Sequence, residues 1–513
     1  MLKLKDPDME LYRSLSQILE PARVLCSEAD RISYSRDLWP LGTIGIQHGE
    51  MPHHPDFIVW PQNTDEVSGI LRLAKEKRVP VIPFGGGSGV CGGTLPLKGG
   101  MIIDCKRMSK ILRIDEISLT VSAESGIIGE HLERELNRKG YTAGHFPSSM
   151  YCSTLGGWLA TRSAGQLSAR YGKIEDMVVN LQVVLPGGEI LETKATPRSS
   201  TGPDFNQIFV GSEGTLGIIT RATIKIHHYP KSRRFSGFLF KNVPAGLEAI
   251  RKILQKGVRP ATVRLYDELD TLIVASGKVK TTSASHQDKK EKGKLSSFIP
   301  EMVKRAERTA LAHPSIIDKL SGLLPESCLL ILTFEGAEEI TEVEQRVAVG
   351  ICEAEGGQAQ GPEPGERWWK ERYKVSYSMS TVFALDSFVD TIEVATTWDR
   401  LERLYFKMRE AISKYSLVMA HFSHAYQEGC SIYFTFAASA KGKDKKKELY
   451  QKIWDTAMDV CVKEGATISH HHGIGYLKAS WMQQEHGEAM KLYRAIKAAI
   501  DPENIMNPGK MGL

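Results

Sequence analysis

A chain of 513 residues has room for two or three domains. With 42% hydrophobic and 25% charged residues it can build a sizeable core, which excludes wholesale disorder. A formal charge of +5, with basic residues spread along the chain, leaves no electrostatic footprint for nucleic acid.

In chain order, residues 9–30 read as a helical lead-in, and Asp56-Phe57-Ile58-Val59-Trp60-Pro61 as an extended segment. Asn63-Thr64-Asp65-Glu66 then has the chemistry of a helix cap ahead of Val67-Ser68-Gly69-Ile70-Leu71. The helix leads to Val79-Pro80-Val81-Ile82-Pro83, a short strand that ends at a glycine loop. Further apolar strands are expected at 101–104, 119–122, 178–181, 218–219 and 222–226, so an α+β domain runs to about residue 230. Beyond Pro230 the composition changes. Val263-Arg264-Leu265-Tyr266-Asp267 places an arginine in a strand-like run, where burial is costly unless an acid or a substrate anion meets it. Segment 281–294 reads as a mobile loop, and 297–324 as an amphipathic helix that packs on its domain or serves as a lid or membrane-surface face. Ala420-His421-Phe422-Ser423-His424 reads as a loop and 430–436 as a strand on which Tyr433 shares a face with Ser431 and Thr435. Lys441 to Lys447 reads as a solvated turn. The expected divisions are 1–53, a lead-in; 54–230, a cofactor domain; 231–460, a substrate domain; and 461–513, a closing segment.

Eight cysteines are scattered singly, and none forms a CxxC pair. That pattern excludes a zinc ribbon and fits a reducing compartment. The opening residues lack an apolar signal core, and no apolar run reaches the roughly 20 residues of a membrane span, so a soluble cytoplasmic protein is expected.

Gly87-Ser88-Gly89-Val90-Cys91-Gly92 formally matches GxGxxG, but a dinucleotide-binding βαβ unit needs a helix opening at the loop. The stretch after the loop, Thr94 to Gly100, is too short for such a helix and too rich in breakers. The alternative is a nest of backbone N–H groups over Gly85 to Gly89, suited to phosphate oxygens. Three later segments add small and hydroxyl-bearing residues: 147–157, 160–165 and 211–219. Ser469-His470-His471-His472-Gly473 completes the set. On a strand, His470 and His472 would share one side and His471 the other. Imidazole titrates near neutrality, which suits proton transfer.

The order VIPFGGGSG, PSSMYCSTLGG, ATRSAG, RYG and GSEGTLGII resembles the FAD-binding domain of the vanillyl-alcohol oxidase/p-cresol methylhydroxylase superfamily, from about residue 54 onward. The resemblance implies an α+β protein: a two-lobed FAD-binding domain plus an α/β substrate (cap) domain with an antiparallel sheet. FAD would be held with its pyrophosphate on Phe84, Gly85, Gly86, Gly87, Ser88 and Gly89, beside Pro83. The rest of the cofactor would meet Ser148, Ser149, Met150, Tyr151, Cys152, Ser153 and Thr154, then Ala160, Thr161, Arg162 and Ser163. Glu213, Gly214, Thr215, Leu216, Gly217, Ile218 and Ile219 would close its cradle. The glycine loop holds no histidine for a covalent tether, so non-covalent FAD is expected.

Two branches of that superfamily compete. In the D-2-hydroxy-acid dehydrogenases a GHxGDGNxH loop supports a metal, whereas here Tyr433 and His471 replace a histidine and an acid, so no metal is expected. The alkyldihydroxyacetonephosphate synthase branch has a strand arginine, an IYF tyrosine and an HHH run, matched by Arg264, Tyr433 and His470, His471, His472. It carries a second arginine where this chain has His421. The resemblance implies that Arg264, with His421, holds the substrate while Tyr433 and the histidines move protons. Two reactions stay open. One is acyl-to-alkyl exchange on a phosphorylated glycerone by chemistry at flavin N5, and Trp368, Trp369, Tyr373 and 297–324 are then candidates for a lipid tunnel. The other is oxidation of a small 2-hydroxy acid or glycerol-phosphate-type alcohol. The expected partner is a small molecule; peripheral membrane contact would arise only with a lipid substrate, and a homodimer is admissible.

Overall fold

The computed structural model describes residue 4, residues 6–275, 327–374, 383 and 387–513; the readings made for 281–294 and 297–324 lie outside these. The chain forms two compact units, Met1–Pro230 with Ile468–Leu513, and Lys231–Thr467. Helix Lys443–Lys463 runs through the division expected at 460/461, which is why the second unit extends to Thr467.

The first unit is built on two main sheets, with a small two-stranded one formed by Tyr141–Thr142 and His227–His228. Four strands lie in the order Val24–Leu25, Phe57–Val59, Met101–Asp104, Val81–Phe84, with the last three parallel. Helix Thr64–Lys77 links two of these strands. It starts where expected, because the Asn63 side chain accepts the Glu66 N–H, and it ends at Arg78 in the left-handed conformation. The lead-in carries three α-helices, Met9–Ile18, Glu28–Ser33 and Pro40–Gln47. The first buries Leu11 and Leu15 in the core formed with Phe57, Val67, Ile70 and Leu71. The second sheet is antiparallel, in the order Ile111–Asp115, Thr120–Glu124, Ile218–Lys225, Val178–Val184, Ile190–Glu192. The segments expected at 218–219 and 222–226 are one strand, bent by a register shift.

The C-terminal residues are tied into this unit from both sides. Asn507 N–H donates to Val81 O, and Val81 N–H donates to Ile505 O. The Lys497 ammonium, buried, donates to the carbonyls of Thr215 and Met506 and pairs with Asp501.

The second unit is a seven-stranded antiparallel sheet, ordered Gln358–Gly361, Ser232–Phe240, Cys328–Gly336, Thr262–Tyr266, Leu417–Ala425, Gly429–Ser439, Ser387–Thr397. Its alternation separates two faces. Leu265, Phe422, Ile432 and Phe434 are fully buried on one, each contributing roughly 1.5–3 kcal/mol. Helix Trp398–Ser413 lies against that face, with Tyr405 5.3 Å from Phe422 and 6.2 Å from Phe434 between ring centroids. The opposite face presents Arg264, Tyr266, His421 and Tyr433. Residues 420–424 are therefore strand, not loop. Val418, Ala420 and Phe422 supply the apolar alternation, which the interleaved histidines and serine obscure in the sequence. The lysine run also differs from expectation: residues from Lys443 enter a 21-residue helix, and Lys446 is buried. Among the described residues no helix is long and apolar enough to cross a membrane.

Candidate active site

The glycine loop leaves strand Val81–Phe84 without starting a helix, as the breakers after it require. Gly87 has φ +61°, and the N–H groups of Gly86, Gly87, Ser88 and Gly89 donate to no acceptor among the described residues. Four unpaired donors on a turn are a ready anion cradle. The loop also has no room for side chains. A Cβ on Gly86 would stand 1.9 Å from the Cys152 carbonyl oxygen, and one on Gly85 2.3 Å from Thr154 Oγ1. Segments 83–89 and 148–154 thus form one continuous surface, and Gly214, whose added Cβ would meet the Pro83 ring at 2.7 Å, brings in the third. These residues fit a bound nucleotide pyrophosphate: exposed backbone donors, close approach and no side-chain obstruction.

Several cofactor-segment side chains have structural partners instead. Thr154 caps helix Leu155–Thr161 through the Gly157 N–H, and Ser153 accepts from the Trp158 indole. Ser163 bonds His145, whose burial drives its pKa down to about 3. Arg162 reaches the Val210 carbonyl and Gln207. Thr215, Leu216, Ile218 and Ile219 point into the core, leaving only their backbone for a ligand. Ser148, Tyr151 and Cys152 are exposed.

The Glu213 carboxylate holds the histidine loop. Its two oxygens accept the N–H groups of Ile474 and Gly475, at 2.6 and 2.8 Å. Burial pushes its pKa up, and these backbone donors oppose the rise. Lys173 donates to the His470 carbonyl at 2.6 Å, and Ser469 Oγ donates to Gly473 O at 3.0 Å. With Gly473 at φ +80° and Gly475 at φ +54°, residues 470–472 form a bend, not a strand. The alternation expected of the three histidines therefore fails, because the glycines and the Glu213 clamp curl the segment. The rings adjoin in sequence, with centroids 5.3 Å apart for His470–His471 and 4.6 Å for His471–His472. His470 Nδ1 and His471 Nδ1 lie 3.1 Å apart, so one must donate and the other accept.

In the second unit, register places Tyr266 opposite His421, and His421 opposite Tyr433. The His421 and Tyr433 rings stack at 4.8 Å. Arg264 finds no carboxylate at ion-pair distance among the described residues; instead its Nη2 lies 2.8 Å from His421 Nε2. Arginine can only donate, so Nε2 accepts, and the ring's proton must sit on Nδ1. There it faces Asp270 Oδ2 at 3.3 Å. Burial, then the nearby guanidinium, holds the His421 pKa well below its ordinary value, so this histidine stays neutral. Burial raises Asp270 to about 7 against the pull of Arg264, and raises the Tyr433 hydroxyl to about 12. Arg264 Nε is buried without a partner among the described residues. Sequence reasoning misses Asp270. A signal for it exists: Asp267 accepts the Asp270 N–H, so a helix opening directly after the strand turns residue 270 back toward it.

Trp368, Trp369 and Tyr373 show packing roles among the described contacts. Trp369 lies between the Arg233 and Arg372 guanidiniums at 4.0 and 3.7 Å, and Trp368 packs against the Tyr266–Leu329–Ile331 cluster. Arg372 also covers Tyr373.

Residues 229–511 match the family described as FAD linked oxidases, C-terminal domain, and residues 55–194 match the FAD binding domain. The alkyldihydroxyacetonephosphate synthase of Trypanosoma brucei brucei is 32% identical over 489 residues, covering 93% of this chain and 75% of the relative. The glycolate oxidase subunit GlcD of Bacillus subtilis is 30% identical over 512 residues, covering 98% and 96%. A solved alkyldihydroxyacetonephosphate synthase structure superposes with a TM-score of 0.77 at 27% identity, covering 99% of this chain and 86% of that one. The chain belongs to the FAD-linked oxidase family and is an FAD-dependent enzyme similar to alkyldihydroxyacetonephosphate synthase.

Proposed function

We propose that the protein exchanges an acyl group for an alkyl group on a phosphorylated glycerone, a reaction whose product is the alkyldihydroxyacetonephosphate in its synthase relatives' name. The observation that carries this is the polar sheet face, where Arg264 keeps a buried Nε–H without an acceptor among the described residues and its neighbour His421 stacks on Tyr433. When bound, FAD would be held non-covalently by the amides of Gly86 to Gly89 and would supply an electron-pair acceptor at flavin N5. Arg264 grips the substrate's oxyanion by charge-assisted hydrogen bonds. An imidazole of the His470–His471 pair removes the proton from the carbon that bears the acyl group. Tyr433, whose hydroxyl keeps its proton well above neutrality, donates to the departing carboxylate. The entering alcohol bonds the carbon and surrenders its proton to an imidazole; of the two protons so gathered, one returns to the carbon and the other leaves with the carboxylate, so no net oxidation occurs.

The neutral state of His421 favours a second reading, oxidation of a 2-hydroxy acid or glycerol-phosphate-type alcohol, because Arg264 is then the fixed cation of this polar cluster. The GlcD relative is in keeping with it. Anaerobic mixing separates the two. Conversion of acyl dihydroxyacetone phosphate and a long-chain alcohol into alkyl product supports exchange. Bleaching of the flavin by 2-hydroxy acids, with no alkyl product, replaces it with oxidation.

A further inference from the structure

We propose that Asp270 is a positioning residue for oxyanion recognition: through His421 it fixes the Arg264 guanidinium with its Nε–H edge left for the ligand. The proposal rests on the reading that Arg264 receives the substrate's oxyanion. Arg264 donates to His421 Nε2 at 2.8 Å, which requires the Nδ1–H tautomer, and that proton has Asp270 Oδ2 as its acceptor at 3.3 Å. His421 cannot rotate without losing both ends, and it is stacked on Tyr433 at 4.8 Å and lies 5.9 Å from Tyr266. Both His421 and Asp270 are buried, at 7% and 9% exposure, so water does not compete for these bonds. Asp270 is itself anchored, because its N–H donates to Asp267 Oδ1 at 2.9 Å. A long arginine side chain has much rotamer freedom to lose on binding, and a strap that removes it beforehand strengthens capture without touching the ligand. The ligand chemistry is a single oxyanion, either carboxylate or phosphate.

The test uses the FAD-loaded protein and calorimetric titration with oxalate in one arm and inorganic phosphate in the other; whichever anion binds wild type identifies the source. Asp270→Ala is expected to weaken binding of that anion about 10-fold, the scale of one lost buried hydrogen bond to a charged group. In turnover it should raise KM far more than it lowers kcat. Asp270→Asn retains an oxygen that accepts from Nδ1–H and should recover most of the affinity, whereas a merely packing role would not distinguish the two variants beyond their melting temperatures. Unchanged affinity in Asp270→Ala, or equal losses in the Ala and Asn variants, overturns the proposal. Arg264→Ala separates the two levels. If it too leaves anion binding unchanged, the reading of Arg264 itself fails; if it alone weakens binding, only the strap is refuted.

Discussion

His145 makes the stability of the cofactor unit dependent on acid. The ring is fully buried, lies 4.6 Å from the Trp158 ring, bonds Ser163 Oγ at 2.8 Å through Nε2, and has no partner at Nδ1 among the described residues. Burial, with a smaller contribution from Lys173, lowers its pKa to about 3. In the unfolded chain the imidazole regains its ordinary value of about 6.5, so below that pH the unfolded state binds a proton that the folded state refuses. Its contribution is intact above pH 6.5 and is lost progressively as pH falls toward 3. Between pH 7.5 and pH 5 the loss is about 2 kcal/mol, which is 1.5 pH units at roughly 1.36 kcal/mol each. Other buried groups titrate in the same range, His227 with the same sign and Asp37 with the opposite, so the test compares two proteins. Urea unfolding of wild type and His145→Gln, followed by tryptophan fluorescence at both pH values, should show the variant losing about 2 kcal/mol less on acidification. Any cost of the lost ring packing is independent of pH and cancels. Equal acid sensitivity in the two proteins would refute the reasoning.

Gly86→Ala forces a Cβ into the Cys152 carbonyl, so FAD affinity, measured by flavin fluorescence on reconstitution, should fall about 10- to 100-fold, the scale of 1–3 kcal/mol of overpacking. His471→Ala and Tyr433→Phe should each slow turnover by at least about 100-fold while the protein stays yellow; near-normal rates in both would remove them from the chemistry. Glu213→Gln turns one of two accepting oxygens into a donor facing an N–H, at a cost of about 1–3 kcal/mol. Amide exchange of Ile474 and Gly475 should then speed up about 10-fold, and unchanged protection would show that the clamp does not hold the histidine loop.

Features that depend on local backbone chemistry are legible in the chain. The Asn63 cap, the helix-free glycine loop and the strand arginine can each be read from neighbours within a few residues, because capping, glycine's freedom at positive φ and strand alternation are short-range effects. Expectations fail where a distant partner decides the conformation. His470 to His472 bend because Glu213, more than 250 residues earlier, ties down the next two amides. Residues 420–424 are strand because the neighbouring strands Thr262–Tyr266 and Gly429–Ser439 pair with them.

By itself the sequence pointed, through the resemblance its motif order carries, to the cofactor class and the residue types of the chemistry, since small residues in a fixed order admit a nucleotide however the rest of the chain packs. Only the tertiary structure decided the protonation of the polar sheet face around Arg264 and His421. Whether His421 is charged depends on a guanidinium and a carboxylate brought to its two nitrogens from positions 264 and 270, and hydrogen-bond valence then leaves a single tautomer.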